Sequence, residues 1–182
     1  KQTEDTIIIR QFKYRRTSVR EKIKKQLDLL KAKGAHYVDA RWYPREDSNF
    51  LFMWNGNLKE NNASSQSGIG VRVLYNGAWG FSASSDLSNP DAIFERAFDN
   101  ARIASERVPF PIRLAEKEAI VGSFNSPNQI DPFTEGLDQK VAFLQKIDAA
   151  LNQTGVIQRF GMLEFVRKQI IFLDSEGSEI EK

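Results

Sequence analysis

The chain has 182 residues, 26 Lys/Arg against 24 Asp/Glu, no cysteine and a single histidine, His36. That length suits one large domain or one and a half, with a real core. The missing cysteines exclude a disulfide framework, a thiolate zinc site and a cysteine nucleophile, and a lone histidine excludes any paired-histidine scheme. No apolar run approaches the ~18–20 residues of a membrane helix; the longest are Phe50–Trp54 and Ile170–Leu173.

Charge is distributed unevenly. Residues 1–33 carry 11 Lys/Arg against 4 Asp/Glu, and the remainder carries 15 against 20. Residues 1–17 read as a basic N-terminal arm ahead of a folded domain over 18–182. The chain opens at Lys1 rather than Met, so something upstream is expected to have been processed, cloned away or left out. Residues 1–16 hold no apolar signal core. A cytoplasmic location is expected, with export left open.

Ser18-x-x-Glu21 has capping-box spacing and predicts a helix over 18–33, closed by Gly34. Val19, Ile23, Leu27 and Leu30 form its buried stripe, and Arg20, Lys22, Lys24, Lys25 and Lys31 its solvated face. Strand patterns follow at His36–Arg45, Phe50–Asn55, Leu58–Gln66, Gly68–Asn76 and Ala78–Ser84. Asn55-Gly56 and Asn76-Gly77 are type I′ hairpin signals, so a five-strand antiparallel meander is expected. Phe50–Trp54 does not alternate in sequence and predicts a strand covered on both faces, central or under a partner domain.

Ser88-Asn89-Pro90 starts a second helix with the stripe Phe94, Ala97, Phe98, Ala101 and Ala104 or Ser105. Val108–Pro111 ends it, and 112–134 reads as a connector with one short strand near Ala119–Val121. A third helix, from Thr134 or Gly136 to Asn152, is expected to bury Leu137, Val141, Leu144, Ile147 and Leu151. Strands at Val156–Val166 and Gln169–Leu173 follow, and Ser178–Lys182 starts a strand whose partner would be missing, as in a chain cut mid-fold. The fold class is α+β, an antiparallel sheet with three main helices packed on it. The order helix, strand, apolar strand, glycine turn recurs in 18–60 and 136–182, as a duplicated α-β-β unit or by chance.

Residues able to carry chemistry are few. His36 reads as structural, no serine sits in a Gly-x-Ser-x-Gly turn, and Gly68–Arg72 lacks the Gly-Lys-Ser/Thr of a phosphate loop. Asp39 and Arg41 share a strand face, and a structural ion pair of either with Arg72 or another charge is the expected use. Gly77-Ala78-Trp79-Gly80-Phe81 has two readings. One is a sheet packed tightly under the alanine-rich helix with Trp79 or Phe81 in the core; the other is a strand to which a peptide or subunit adds through main-chain hydrogen bonds.

The succession Lys33-Gly34-Ala35-His36-Tyr37-Val38-Asp39-Ala40-Arg41, Asn55-Gly56, Gly68-Ile69-Gly70-Val71-Arg72-Val73 and Asn76-Gly77-Ala78-Trp79-Gly80-Phe81-Ser82 resembles the N-terminal domain of the TldD/PmbA zinc metallopeptidases, once labelled modulators of DNA gyrase. The resemblance implies a full-length zinc peptidase acting on extended or unfolded peptides. Its metal would sit on a His-Glu-x-x-x-Asp helix in a C-terminal domain, a motif absent here, so no catalytic or metal residue is expected in this chain. It further implies a second subunit of the same type, as homodimer or heterodimer, and a peptide channel. The candidates for the channel wall or subunit contact are Gly68, Gly70, Arg72, Gly77, Trp79, Gly80 and Phe81. A non-catalytic partner subunit is the alternative, and a nucleic-acid module the weaker one, since only Phe12 and Tyr14 accompany the N-terminal cations.

Overall fold

Two-residue turns and helical stripes set the architecture. In the computed structural model the residues described are 19–182, so the basic arm of 1–17 and the Ser18 cap lie outside them. Helix α1 spans 19–32. It is followed by β1 (Tyr37–Trp54), β2 (Asn57–Tyr75), β3 (Ala78–Ser84), α2 (Pro90–Ser105), β4 (Val121–Ser123), α3 (Leu137–Leu151), β5 (Phe160–Asp174) and β6 (Glu179–Glu181). The strands form one six-stranded sheet in the order β3-β2-β1-β5-β6-β4, with β4 and β6 parallel. Both Asn-Gly pairs adopt the positive φ values of their turns, 46° and 75° at Asn55-Gly56, 45° and 79° at Asn76-Gly77.

The chain divides into two compact units. The first comprises the described residues up to Pro44, Gly68–Phe124 and Ile170–Lys182; the second comprises Arg45–Ser67 and Asn125–Gln169.

The first unit holds the larger core. From α1, Ile23, Leu27 and Leu30 are buried; from α2, Ile93, Phe94, Ala97, Phe98 and Ala101. They pack on Val38, Ala40 and Trp42 of β1, Ile69, Val71 and Val73 of β2, and Ile171 and Leu173 of β5. The Asn89 side chain caps α2 by accepting from the Ala92 N–H, with Pro90 next, as the sequence indicates. Gly80 faces α2 so closely that an added Cβ would lie 2.1 Å from the Ala97 carbonyl oxygen and 2.2 Å from the Ala101 nitrogen. The cations of α1 are not merely solvated. Arg20 pairs with Glu179 and Glu181, Lys24 with Glu179, and Lys33, just past the end of α1, with Glu95.

In the second unit a small core of Leu51, Met53 and Leu144 is flanked by Val141 and Leu163. Asp47 is buried there, held by Arg45 at 2.7 Å and Arg167 at 3.0 Å. Burial pushes its carboxyl upward, but the hydrogen bonds from Arg45 and Arg167 outweigh it and set it at about 2.

Several expectations need correction. The five strands of 36–84 are three, because β1 and β2 run unbroken through polar segments that would ordinarily end a strand. Lateral partners satisfy those side chains: Asp47 on Arg45 and Arg167, Glu46 on Lys168, Ser48 on Ser64. Phe50–Trp54 is central in the sheet but covered on one face only, with Leu51 and Met53 buried and Trp54 exposed. Helix α3 buries Leu144 alone, leaving Leu137, Ile147 and Leu151 exposed. Ser178–Lys182 does not lack a partner, since β6 pairs with both β5 and β4. The short connector strand lies at Val121–Ser123, two residues past its expected start, and β5 begins at Phe160 rather than Val156. The repeated order keeps a coarser form in which a helix precedes one long strand, α1 before β1 and α3 before β5.

Gly80→Ala should lower stability by about 3 kcal/mol or more, since backbone atoms of α2 occupy the methyl's place. Gly122→Ala, with open space around the added carbon, should stay within about 0.5 kcal/mol in the same urea titration. The folded-state value of Asp47 lies below the unfolded one near 3.8, so its stabilising contribution is complete above that pH and is lost as pH falls towards about 2. Asp47→Asn should remove this segment of the acid-unfolding curve followed by circular dichroism.

Candidate functional site

Alternation in the strands of the first unit turns the residues that pack with α1 and α2 to one face of the sheet; the opposite face, where Arg41 and Phe81 are exposed, is open. Val38, Ala40, Val71, Val73, Ala78, Gly80 and Ser82 are the buried positions on the helix side, so Asp39, Arg41, Gly70, Arg72, Trp79 and Phe81 take the other. The register places Arg72 opposite Phe81 and Leu74 opposite Trp79.

This open face is organised around a buried carboxylate. Asp39 is 1% exposed and accepts three hydrogen bonds from Arg72, at 2.6, 3.0 and 3.2 Å. Arg72 lies 5.1 Å over the Trp79 ring, and Trp79 meets Tyr37 edge-on at 6.0 Å. Beside them Arg41 lies over Phe172 at 5.6 Å and Lys117 over Tyr37 at 5.7 Å. Burial, followed by the charges of Asp39 and Asp174, pushes the Tyr37 phenol far above its ordinary range. Asp174 is held low: burial opposes ionisation, and hydrogen bonds from Lys117 and the backbone N–H groups of Ser178 and Glu176 prevail.

The seven candidates separate into two groups. Gly70, Arg72, Trp79 and Phe81 come together on the open face, where Phe81 is 58% exposed and its ring rests 3.4 Å from where a Cβ of Gly70 would be. Gly68, Gly77 and Gly80 serve the backbone. Gly68 lies against the Ser84 carbonyl, Gly77 holds a positive-φ turn against Pro111, and Gly80 seats α2. The expectation of Trp79 or Phe81 in the core fails for this reason, because the parity that turns Gly80 toward α2 turns both aromatics away. Lys117 and Phe172 escaped the sequence reading; one sits in a connector without periodicity and the other in an unbroken apolar run.

Strand β3 is also an edge of the sheet. Pairing of Tyr75 with Ala78 across a two-residue turn directs the backbone groups of Ala78, Gly80 and Ser82 to β2, and those of Trp79, Phe81 and Ala83 outward. The Asn100 amide donates to the Phe81 carbonyl at 2.9 Å. His36 accepts from the Asn76 N–H at Nδ1, a turn-fixing role. Among the described residues no three His, Asp or Glu side chains gather as metal ligands. Among the described residues no helix is long and apolar enough to cross a membrane.

Arg72→Ala should cost about 2–3 kcal/mol by leaving the Asp39 carboxylate buried without its partner. Replacing both residues with leucine should recover most of that loss in a denaturant double-mutant cycle.

Residues 39–101 match the family model described as PmbA/TldA metallopeptidase domain 1. A metalloprotease of Methanocaldococcus jannaschii is 29% identical over 165 residues, which cover 88% of this chain and 35% of that protein. A protein described as a modulator of DNA gyrase from Bacteroides thetaiotaomicron superposes with a TM-score of 0.69 at 12% identity, over 90% of this chain and 38% of that one. A similarly described protein from Thermotoga maritima gives 0.63 at 21%, over 89% and 36%. TldE from Thermococcus kodakarensis gives 0.65 at 14%, over 90% and 36%. The structural likenesses show the fold, and the chain spans little more than a third of the length of each of these relatives. Over residues 39–101 the chain is thus similar to the first domain of the PmbA/TldA metallopeptidases.

Proposed function

We propose that this chain is the N-terminal part of a TldD/PmbA-like zinc metallopeptidase, without catalytic activity by itself. In this reading it forms part of the wall along which extended or unfolded peptides pass and contributes to the contact with a second subunit of the same type. The metal and the water-activating carboxylate belong to protein beyond the third that matches. The observation that carries the proposal is the open face ending in an edge strand. Trp79 and Phe81 offer sequence-tolerant apolar contacts, Arg72 and Arg41 offer charge, and the outward backbone groups of β3 other than the Phe81 carbonyl, which Asn100 occupies, can pair with an extended chain. Sequence-independent recognition needs these features, since an unfolded peptide has its backbone as the common element.

A nucleic-acid role is weakened by the ion pairs of Arg20, Lys24 and Lys33, which neutralise much of the basic helix.

In the full-length protein, Phe81→Asp should reduce kcat/KM on an unfolded peptide about tenfold with zinc content and melting temperature unchanged. Unaltered cleavage, or peptide cleavage and stoichiometric zinc in residues 1–182 alone, would overturn the proposal.

A further inference from the structure

The second unit contains a groove of about 480 Å³ whose lining includes Arg45, Lys140 and Arg167 against the single carboxylate of Asp47. Asp47 occupies only part of these cations. It takes the Nε of Arg45 at 2.7 Å, and the Nε and Nη2 of Arg167 at 3.3 and 3.0 Å. The Nη groups of Arg45 lie on a side chain 62% exposed. Lys140 is met by neutral groups, Oδ1 of Asn49 at 2.7 Å and the Phe165 ring at 5.5 Å. Asp131 meets Arg167 from its other side at 3.1 Å, and even with it counted one positive charge stays in excess. Leu137 and Lys140 belong to the first turn of α3, so the positive end of that helix borders the groove as well.

Asp47 therefore acts as an anchor rather than as a full counter-charge. Two guanidinium groups are drawn to one buried carboxylate, and a third cation stands nearby without an acidic partner of its own. An incoming oxyanion would meet charge-assisted donors already held in place, which lowers the ordering cost of binding. The remaining lining explains what such an anion would be attached to. Phe133 lies 4.5 Å under Arg167 and with Leu137 supplies apolar lining; Asn61 and Ser64 supply polar lining. The volume exceeds that of a bare ion and falls in the range of small organic ligands.

We infer that this groove binds an organic anion, a carboxylate or a phosphate ester carrying a flat apolar portion. The site is distinct from the role proposed for the open face and does not depend on it. Titration calorimetry on the full-length protein with benzoylglycine, phenyl phosphate and the neutral benzoylglycinamide tests it without reference to peptidase activity. At least one anionic probe should bind at least tenfold more tightly than the amide, and its affinity should fall as salt is raised. Lys140→Gln, outside the core, should weaken it about tenfold while the melting temperature holds, and Arg45→Gln should weaken it as much with some loss of stability, since Arg45 holds the buried Asp47. Tighter binding of benzoylglycine identifies a carboxylate of the kind that ends a peptide; tighter binding of phenyl phosphate identifies a phosphoester. Equal affinity for the amide, no binding of any probe, or wild-type affinity in both variants would overturn the inference.

Discussion

Helix α2 can lie on β3 because position 80 has no side chain. With backbone atoms of Ala97 and Ala101 where a Cβ would be, the contact is one of main chain against main chain, and Ala97 and Ala101 are small for the same reason. This contact fixes which way the strand faces. Once Gly80 points at the helix, Trp79 and Phe81 have no choice but the opposite side. The aromatic face and the close helix packing are two results of one parity, and a strand shifted by one residue would lose both.

Much of this was legible in residues. Asn55-Gly56 and Asn76-Gly77 admit few turns other than those observed, and Asn89-Pro90 marks the start of α2. The stripe of Ile23, Leu27 and Leu30 is read directly from helical spacing. What escaped depends on partners distant in sequence. Glu46 through Asn49 look like a loop until Arg167, Lys168 and Lys140 are brought alongside to satisfy them. Leu137, Ile147 and Leu151 follow helical spacing as well as any core stripe, yet spacing records the capacity to be buried and not the presence of something to bury against. The open face was half legible: the glycine and aromatic residues stood out, while Lys117 joins through a connector with no pattern to read.

The open face combines rigidity with availability. Arg72 is tied to Asp39 by three hydrogen bonds and stacked on Trp79, so its position is set before any ligand arrives. Phe81 is instead largely exposed, resting on the space that Gly70 leaves. In the role proposed for it, of holding many different chains, this surface would benefit from that division, with fixed charge beneath and an adaptable apolar contact above.

The ion pairs joining α1 to β6 span 159 and 161 residues of sequence, and β1 lies between β2 and β5. The first unit is thus assembled from three separate stretches of chain, with the two stretches of the second unit inserted between them. Its sheet is complete only once β5 has joined β1 and β6 has joined β5, so Ile171 and Leu173 are made after every other member of the core that α1 and α2 share. Contacts of such long range slow folding.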